Sequence, residues 1–389
     1  MLIADPEDRN AGRLPSRKGL FAPIFRTVTI CIALCAGIAF YIYGDRIIGY
    51  VEKMVAAKPD PALLAIYKQY DIEPLPNVVA GRNPMSTYLD MLRREPCDWN
   101  ALYKFGMELQ AQGYRHEAAT ALVAFSNKCT PSNVALQSAA SILLNLSEFD
   151  QAQKVADDLI AMTPGVPDYH FLRAQIRQGA KKYRDAIGDY YSVIGLTDNV
   201  ANLNSLTYQG ISDSYRALGD YCAALTPLQS WISINPDRND TSVVRGIIKN
   251  YAAQGKCTST YAAGSDRFPT QGKDVIVAKV SINGVSGNFV VDTGAGFVSV
   301  TKAFASRAKL PVDSANDILL QTANGVSQGT RASAATVKVG RVEANDVATV
   351  ILNDDMALGS AIDGLLGRSF LSRFDVTFGT HEWRIETKE

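Results

Sequence analysis

The sequence predicts a multidomain chain: a transmembrane helix, then an all-α array of helical repeats, then a small all-β domain. Three observations carry this expectation. An unbroken apolar run covers residues 27–44. Aromatic turn signals recur at Tyr114, Phe149, Tyr183 and Tyr221. From residue 273 onward the apolar pattern changes from a helical period to alternation.

The run from Thr27 to Gly44 would make a helix about 27 Å long, just enough to cross a hydrocarbon core. Tyr41 and Tyr43 fall where an interfacial aromatic belt lies. Arg9, Arg13, Arg17, Lys18 and Arg26 precede the run, and only Arg46 and Lys53 follow nearby. The positive-inside rule then predicts residues 1–26 in the cytoplasm and the remainder outside it. A cleaved signal peptide would also explain the run. Gly37-Ile38-Ala39 is a poor cleavage site, however, and Leu34 before Cys35 spoils a lipoprotein-type signal.

Composition excludes several classes. The chain has 389 residues, 47% hydrophobic and 20% charged, with formal net charge +0. That balance argues for globular domains and against a polyanion-binding surface, so no nucleic-acid partner is expected. The 3 histidines are far apart in sequence, no cluster has metal-ligand spacing, and no phosphate loop is visible. No metal or other cofactor is expected.

Residues 60–257 read as helical repeats. The aromatic turns lie about 35, 34 and 38 residues apart, and a weaker unit follows at Gly255-Lys256-Cys257. Ala118, Ala152, Ala186 and Ala224 follow the aromatics. Pro96, Pro131, Pro164 and Pro236 punctuate the unit ends, but the third unit has Leu196-Thr197 instead. The pattern resembles tetratricopeptide (TPR) repeats, in which a small residue lets two helices approach and the aromatic fills the gap between them. An irregular helical bundle is the alternative. Stacked repeats offer a concave groove, which implies a protein partner or a peptide. On this arrangement Cys97 opens one helix and Cys129 closes its antiparallel partner. Cys222 and Cys257 occupy near-equivalent turns. The expected disulfides are Cys97–Cys129 and Cys222–Cys257, with free thiols as the alternative.

Thr258 to Gly272 contains Ser, Thr, Gly, Pro and Ala with little periodicity and reads as a linker. Residues 273–389 then read as the β domain. Asn283-Gly284 and Asn324-Gly325 are hairpin signals, and long alternating runs cover 330–339 and 342–352. The run ending Phe289-Val290-Val291-Asp292-Thr293-Gly294 delivers a carboxylate from a buried strand into a tight turn. A carboxylate at that place is costly unless it is used.

Three elements in order give these residues a family resemblance. They are the turn Asp292-Thr293-Gly294-Ala295, the hairpin Thr322-Ala323-Asn324-Gly325, and Leu365-Leu366-Gly367 before a short helix. Together they resemble retropepsin-like aspartic proteases of the single-lobe bacterial kind, over about the last 115 residues. The resemblance implies a β-rich acid-protease fold, with Asp292 catalytic and Thr293 hydrogen-bonded across a dimer. It implies a flap at 322–325, a supporting loop at 365–367, and C-terminal strands at a dimer interface to which Trp383 and Ile385 would contribute, whereas the residues themselves read His381 and Trp383 as packing or edge residues. Only one Asp-Thr-Gly is present, and Asp363-Gly364 lacks the hydroxyl residue. Acid-protease chemistry needs two facing carboxylates, so the second is expected from another copy of the chain.

Ala295 stands where two-lobed pepsin-like enzymes have Ser, one hydroxyl donor fewer, so activity is expected to extend toward neutral pH. Gly296 departs from the Ser, Thr or Asp common in the family. The expected function is a membrane-anchored, extracytoplasmic aspartic endopeptidase, active as a homodimer, whose repeats recruit a substrate or adaptor. The resemblance to bacterial members implies a bacterial inner membrane. The competing expectation is a non-enzymatic TPR interaction scaffold with an inactive protease-like dimerisation domain.

Overall fold

The computed structural model describes residues 60–199, 202–258, 261–270, 275–322, 325–353, 358–359 and 361–388. The apolar run 27–44 lies outside these. Among the described residues, no helix is long and apolar enough to cross a membrane.

Three helices open the described chain: α1 (Pro61–Gln69), α2 (Asn77–Ala80) and α3 (Met85–Arg94). Antiparallel pairs follow. They are α4 (Trp99–Ala111) with α5 (Arg115–Lys128), α6 (Asn133–Asn145) with α7 (Phe149–Met162), α8 (Pro167–Gly179) with α9 (Tyr183–Leu196), and α10 (Ser205–Ala217) with α11 (Leu225–Ile234). Then come α12 (Pro236–Asn239) and α13 (Ser242–Gly255).

Local chemistry sets this rhythm. Asp98, Ser132, Asn204 and Thr241 cap the first helix of their units by accepting from backbone N–H groups. Each turn inside a pair has one residue at positive φ: Gly113, Ser147, Lys181 and Gly219. The alanines at 118, 152, 186 and 224 are all fully buried. Close approach is required at Gly179, where a Cβ would lie 2.4 Å from the Phe149 ring. Cys97 and Cys129 are bonded, as are Cys222 and Cys257, with S–S distances of 1.98 and 2.02 Å.

Between the second and third pairs lies a buried charge network. Asp189 on α9 accepts from Arg173 and Arg177 of α8, at 2.6 and 2.8 Å. Arg173 also reaches Asp157 at 2.7 Å. Burial alone would raise the Asp189 pKa. The nearby His170 ring, the hydrogen bonds from Arg173 and the charges of both arginines outweigh it, and the carboxyl is held below its ordinary range.

The stretch expected to be a linker contains a strand. β1 (Ser265–Pro269) pairs antiparallel with β10 (Glu382–Thr387), which pairs in turn with β9 (Phe374–Phe378). As an edge strand, β1 keeps polar residues along its open side, and its composition therefore reads as loop. The larger sheet has the order β2-β3-β8-β4-β7-β6-β5, and β2 also pairs with β6. Its strands are β2 (Val277–Ile282), β3 (Val285–Val291), β4 (Val298–Val300), β5 (Val312–Thr322), β6 (Gly325–Val339), β7 (Val342–Leu352) and β8 (Gly364–Leu366). Helices α14 (Lys302–Arg307) and α15 (Arg368–Leu371) complete the domain. Asn283 and Gly284 have φ of 50° and 85°, as a two-residue type I′ turn requires. The core gathers Phe289, Phe304, Val298, Val337, Val347 and Phe370.

Trp383 and Ile385 are buried in this same core, at 1% and 0% exposure. Trp383 stacks on Phe268 of β1 at 4.7 Å. The expectation that they build a dimer contact is corrected: pairing with β1 turns both side chains inward.

Candidate active site

Asp292 stands at the end of β3. Its backbone N–H donates to Leu366 O at 3.1 Å, which extends the parallel β3–β8 pairing up to the carboxylate. Gly294 N–H and Ala295 N–H both donate to Asp292 Oδ1, at 2.8 and 3.2 Å. These bonds fix one carboxylate oxygen against the turn. Asp292 is half-buried, while Thr293 and Gly294 are exposed, so the turn opens to one side.

The Leu365-Leu366-Gly367 segment runs directly beside this turn. Strand β8 lies between β3, which enters the turn, and β4, which leaves it. Arg368 N–H donates to Ala295 O at 2.8 Å and Ser369 N–H to Gly296 O at 3.1 Å. Ser369 Oγ accepts from Val298 N at 2.8 Å. Gly367 must be glycine for steric reasons, because a Cβ would lie 2.1 Å from Phe297 O and 2.8 Å from Ala295 O. Asp363, the other Asp before a glycine, is used structurally. It accepts from Asn288 N at 2.9 Å and pairs with Arg307 at 2.7 Å.

Strands β5 and β6 form the hairpin expected as a flap. Thr322 pairs with Gly325, and Thr322 Oγ1 donates to Gly325 O at 2.8 Å. Ala323 and Asn324, the expected tip, lie outside the described residues.

Two features of the site escaped sequence reasoning. Arg368 follows Gly367 and is close enough to Asp292 for their charges to interact. Burial draws its pKa down, while Tyr208, Asp292 and Asp198 act the other way. As an arginine it stays charged. Its Nη1 and Nη2 donate to Asp198 O and Thr197 O, at 3.0 and 3.4 Å, at the C-terminal end of α9. Capping those carbonyls is favourable work for a cation.

The second feature is the docking of α9 itself. Tyr191 packs edge-on against Phe297 at 5.9 Å, and the Arg331 guanidinium lies 5.4 Å from the Tyr191 ring centre. Ser192 Oγ accepts from Leu319 N at 3.2 Å. A Cβ at Gly296 would meet Ile194 O at 3.7 Å and Gly195 Cα at 3.8 Å. A Cβ there would make ordinary contact with the docked helix, and a longer side chain would have to turn away from it. The sequence did carry a signal: the third unit lacks its terminal proline, and that end of α9 is the one that meets the β domain.

Among the described residues, no group of His, Cys and carboxylate side chains is gathered as for a metal ion.

Residues 278–373 match the family described as "gag-polyprotein putative aspartyl protease". The C-terminal region is therefore similar, over residues 278–373, to a putative aspartyl-protease family, and paired helices precede it. Among solved structures, a retropepsin-like aspartic protease from Rickettsia conorii is 23% identical, with 31% of this chain and 98% of that chain covered and a TM-score of 0.25. MamA from Desulfovibrio magneticus RS-1 is 16% identical over 44% of this chain and 97% of that one, with a TM-score of 0.34. A thermophilic TPR protein of Thermus thermophilus is 15% identical over 50% and 98%, with a TM-score of 0.31. No curated protein matches the chain.

Proposed function

We propose that the protein is an aspartic endopeptidase, active as a homodimer in which each chain supplies one catalytic Asp292. The observation that carries this is the Asp292 turn, held by two backbone donors on Oδ1 and threaded by the Leu365–Gly367 segment.

Two facing carboxylates share one proton, because like charges a few ångströms apart resist joint ionisation. The ionised one takes a proton from water as the water oxygen attacks the scissile carbonyl carbon. The protonated one gives its proton to the carbonyl oxygen. The tetrahedral gem-diol then collapses, the C–N bond breaks, and the leaving amine takes up the proton. Thr293, exposed at the mouth of the turn, would bond across to the second copy. The hairpin at 322–325 would cover an extended peptide held mainly by backbone hydrogen bonds.

The extracytoplasmic, membrane-anchored placement is part of the same proposal. Two disulfides within the repeats support an oxidising compartment. An anchor at 27–44 would confine the chains to a plane and raise their effective concentration for pairing. The repeat groove would recruit the substrate or an adaptor.

The test is digestion of a diverse peptide mixture by the purified chain from pH 4 to 8, read by mass spectrometry beside Asp292→Asn. Cleavage by wild type alone is expected. Equal cleavage by both proteins would overturn the assignment. A folded, dimeric and inactive wild type would move the conclusion to the non-enzymatic scaffold.

A further inference from the structure

On the endopeptidase reading, a peptide over Asp292 lies between the Asp292 turn and the β5–β6 hairpin. β5 is the edge of its sheet, so its outward backbone groups can pair with an added strand. Leu319 N–H points outward, since it donates to Ser192 Oγ rather than to β6. By strand alternation the next outward residue toward the tip is Gln321.

Helix α9 ends this edge. It takes the Leu319 N–H, and it approaches the Leu319 carbonyl so closely that a Cβ at Gly195 would lie 2.6 Å from that oxygen. The same Cβ would lie 3.2 Å from the Phe297 ring, and Gly296 abuts Ile194 and Gly195. Both walls of the groove, the hairpin edge and the chain leaving the catalytic turn, thus converge on one turn of α9. Thr197 and Asp198 are pinned there by Arg368.

We propose that the C-terminal turn of α9 is the end wall of the substrate cleft and sets the length of peptide the site accepts. Beyond Leu319, β5 has only Leu320, Gln321 and Thr322, its last residue, about 10 Å of edge at about 3.3 Å per residue. Each half-site therefore holds about three extended residues, and a homodimer about six, with one wall at either end. Ser192, Gly195 and Gly296 are specificity-determining residues that set the depth of the cleft without touching the reacting atoms. The favoured substrates are short extended peptides or segments whose chain turns away at the wall. The inference rests on the endopeptidase reading.

The experiment takes one cleaved site from the peptide digest and embeds it in nested synthetic peptides of increasing length. kcat/KM is measured with the full chain. It is expected to climb until about three residues flank each side, and then to change less than about twofold on further extension. In the double variant Tyr191→Ala with Ser192→Ala, longer peptides are expected to gain about fivefold over the short ones, the worth of about one recovered hydrogen bond. Should that variant misfold, the wild-type length profile decides alone. A wild-type rate that keeps rising with each added residue overturns the wall. No Asp292-dependent cleavage at any length overturns the endopeptidase reading and the wall with it. A continued rise with length leaves the endopeptidase intact and removes only the wall.

Discussion

The repeat segment and the β domain hold their shapes by different means. In the repeats each unit packs on its sequence neighbours, and the same devices return: a capping residue, a positive-φ turn, a buried alanine. In the β domain the residue that matters most is held from far away. Asp292 is positioned by Leu366 and by the segment that follows it. Damage to one repeat should therefore spread by degrees, whereas damage to the segment at 365–367 should reach the Asp292 turn at once.

The largest expected effect is on catalysis. Asp292→Asn should lower kcat/KM by about 10²–10⁴-fold or more, as expected for loss of a positioned acid–base group, with no change in folding. Peptide cleavage beside circular dichroism measures both.

Next is the buried network on α9. Asp189→Ala should destabilise the repeats by about 3–5 kcal/mol, because Arg173 and Arg177 would lose the carboxylate that compensates their charge. Denaturant unfolding reads this. The same group gives a pH dependence. Its folded pKa is depressed, so its stabilising contribution is complete above the ordinary Asp value of about 3.9 and is lost as pH falls through the folded value. Wild type should therefore lose stability below about pH 4, and Asp189→Ala should lose less over that window.

Reduction of Cys97–Cys129 and Cys222–Cys257 should cost about 2–4 kcal/mol each, confined to the repeats. Hydrogen exchange would show whether the β domain keeps its protection. Gly367→Ala is the converse case. Backbone carbonyls crowd the added methyl, and overpacking of about 1–3 kcal/mol should fall on the β domain, with activity lost beyond what stability explains.

The same contrast decides what the sequence reveals. The repeats are legible because their signals are local: Ala118, Ala152, Ala186 and Ala224 keep step with the aromatics. The Asp292 turn and the segment beside it are legible because Asp-Thr-Gly ends an apolar strand and Leu365-Leu366-Gly367 follows in order. Contacts between distant elements leave no such spacing. Asp189 reads as one more polar helix residue until Arg173 and Arg177 are placed beside it. Strand β1 reads as linker because an edge strand carries polar residues. Trp383 reads as a packing residue in sequence, as it is found, but the dimer contact that the resemblance suggested for it and Ile385 is ruled out by their burial in the core. Arg368 gives no local hint of its bonds to Thr197 and Asp198, which lie on another domain.

The central claim is that one active site is built from two chains. It is tested most directly by mixing wild type with Asp292→Asn at constant total concentration, under conditions of subunit exchange, and measuring peptide cleavage. A shared dyad predicts activity proportional to the square of the wild-type fraction. Activity linear in that fraction would show that a single chain suffices and would contradict the account.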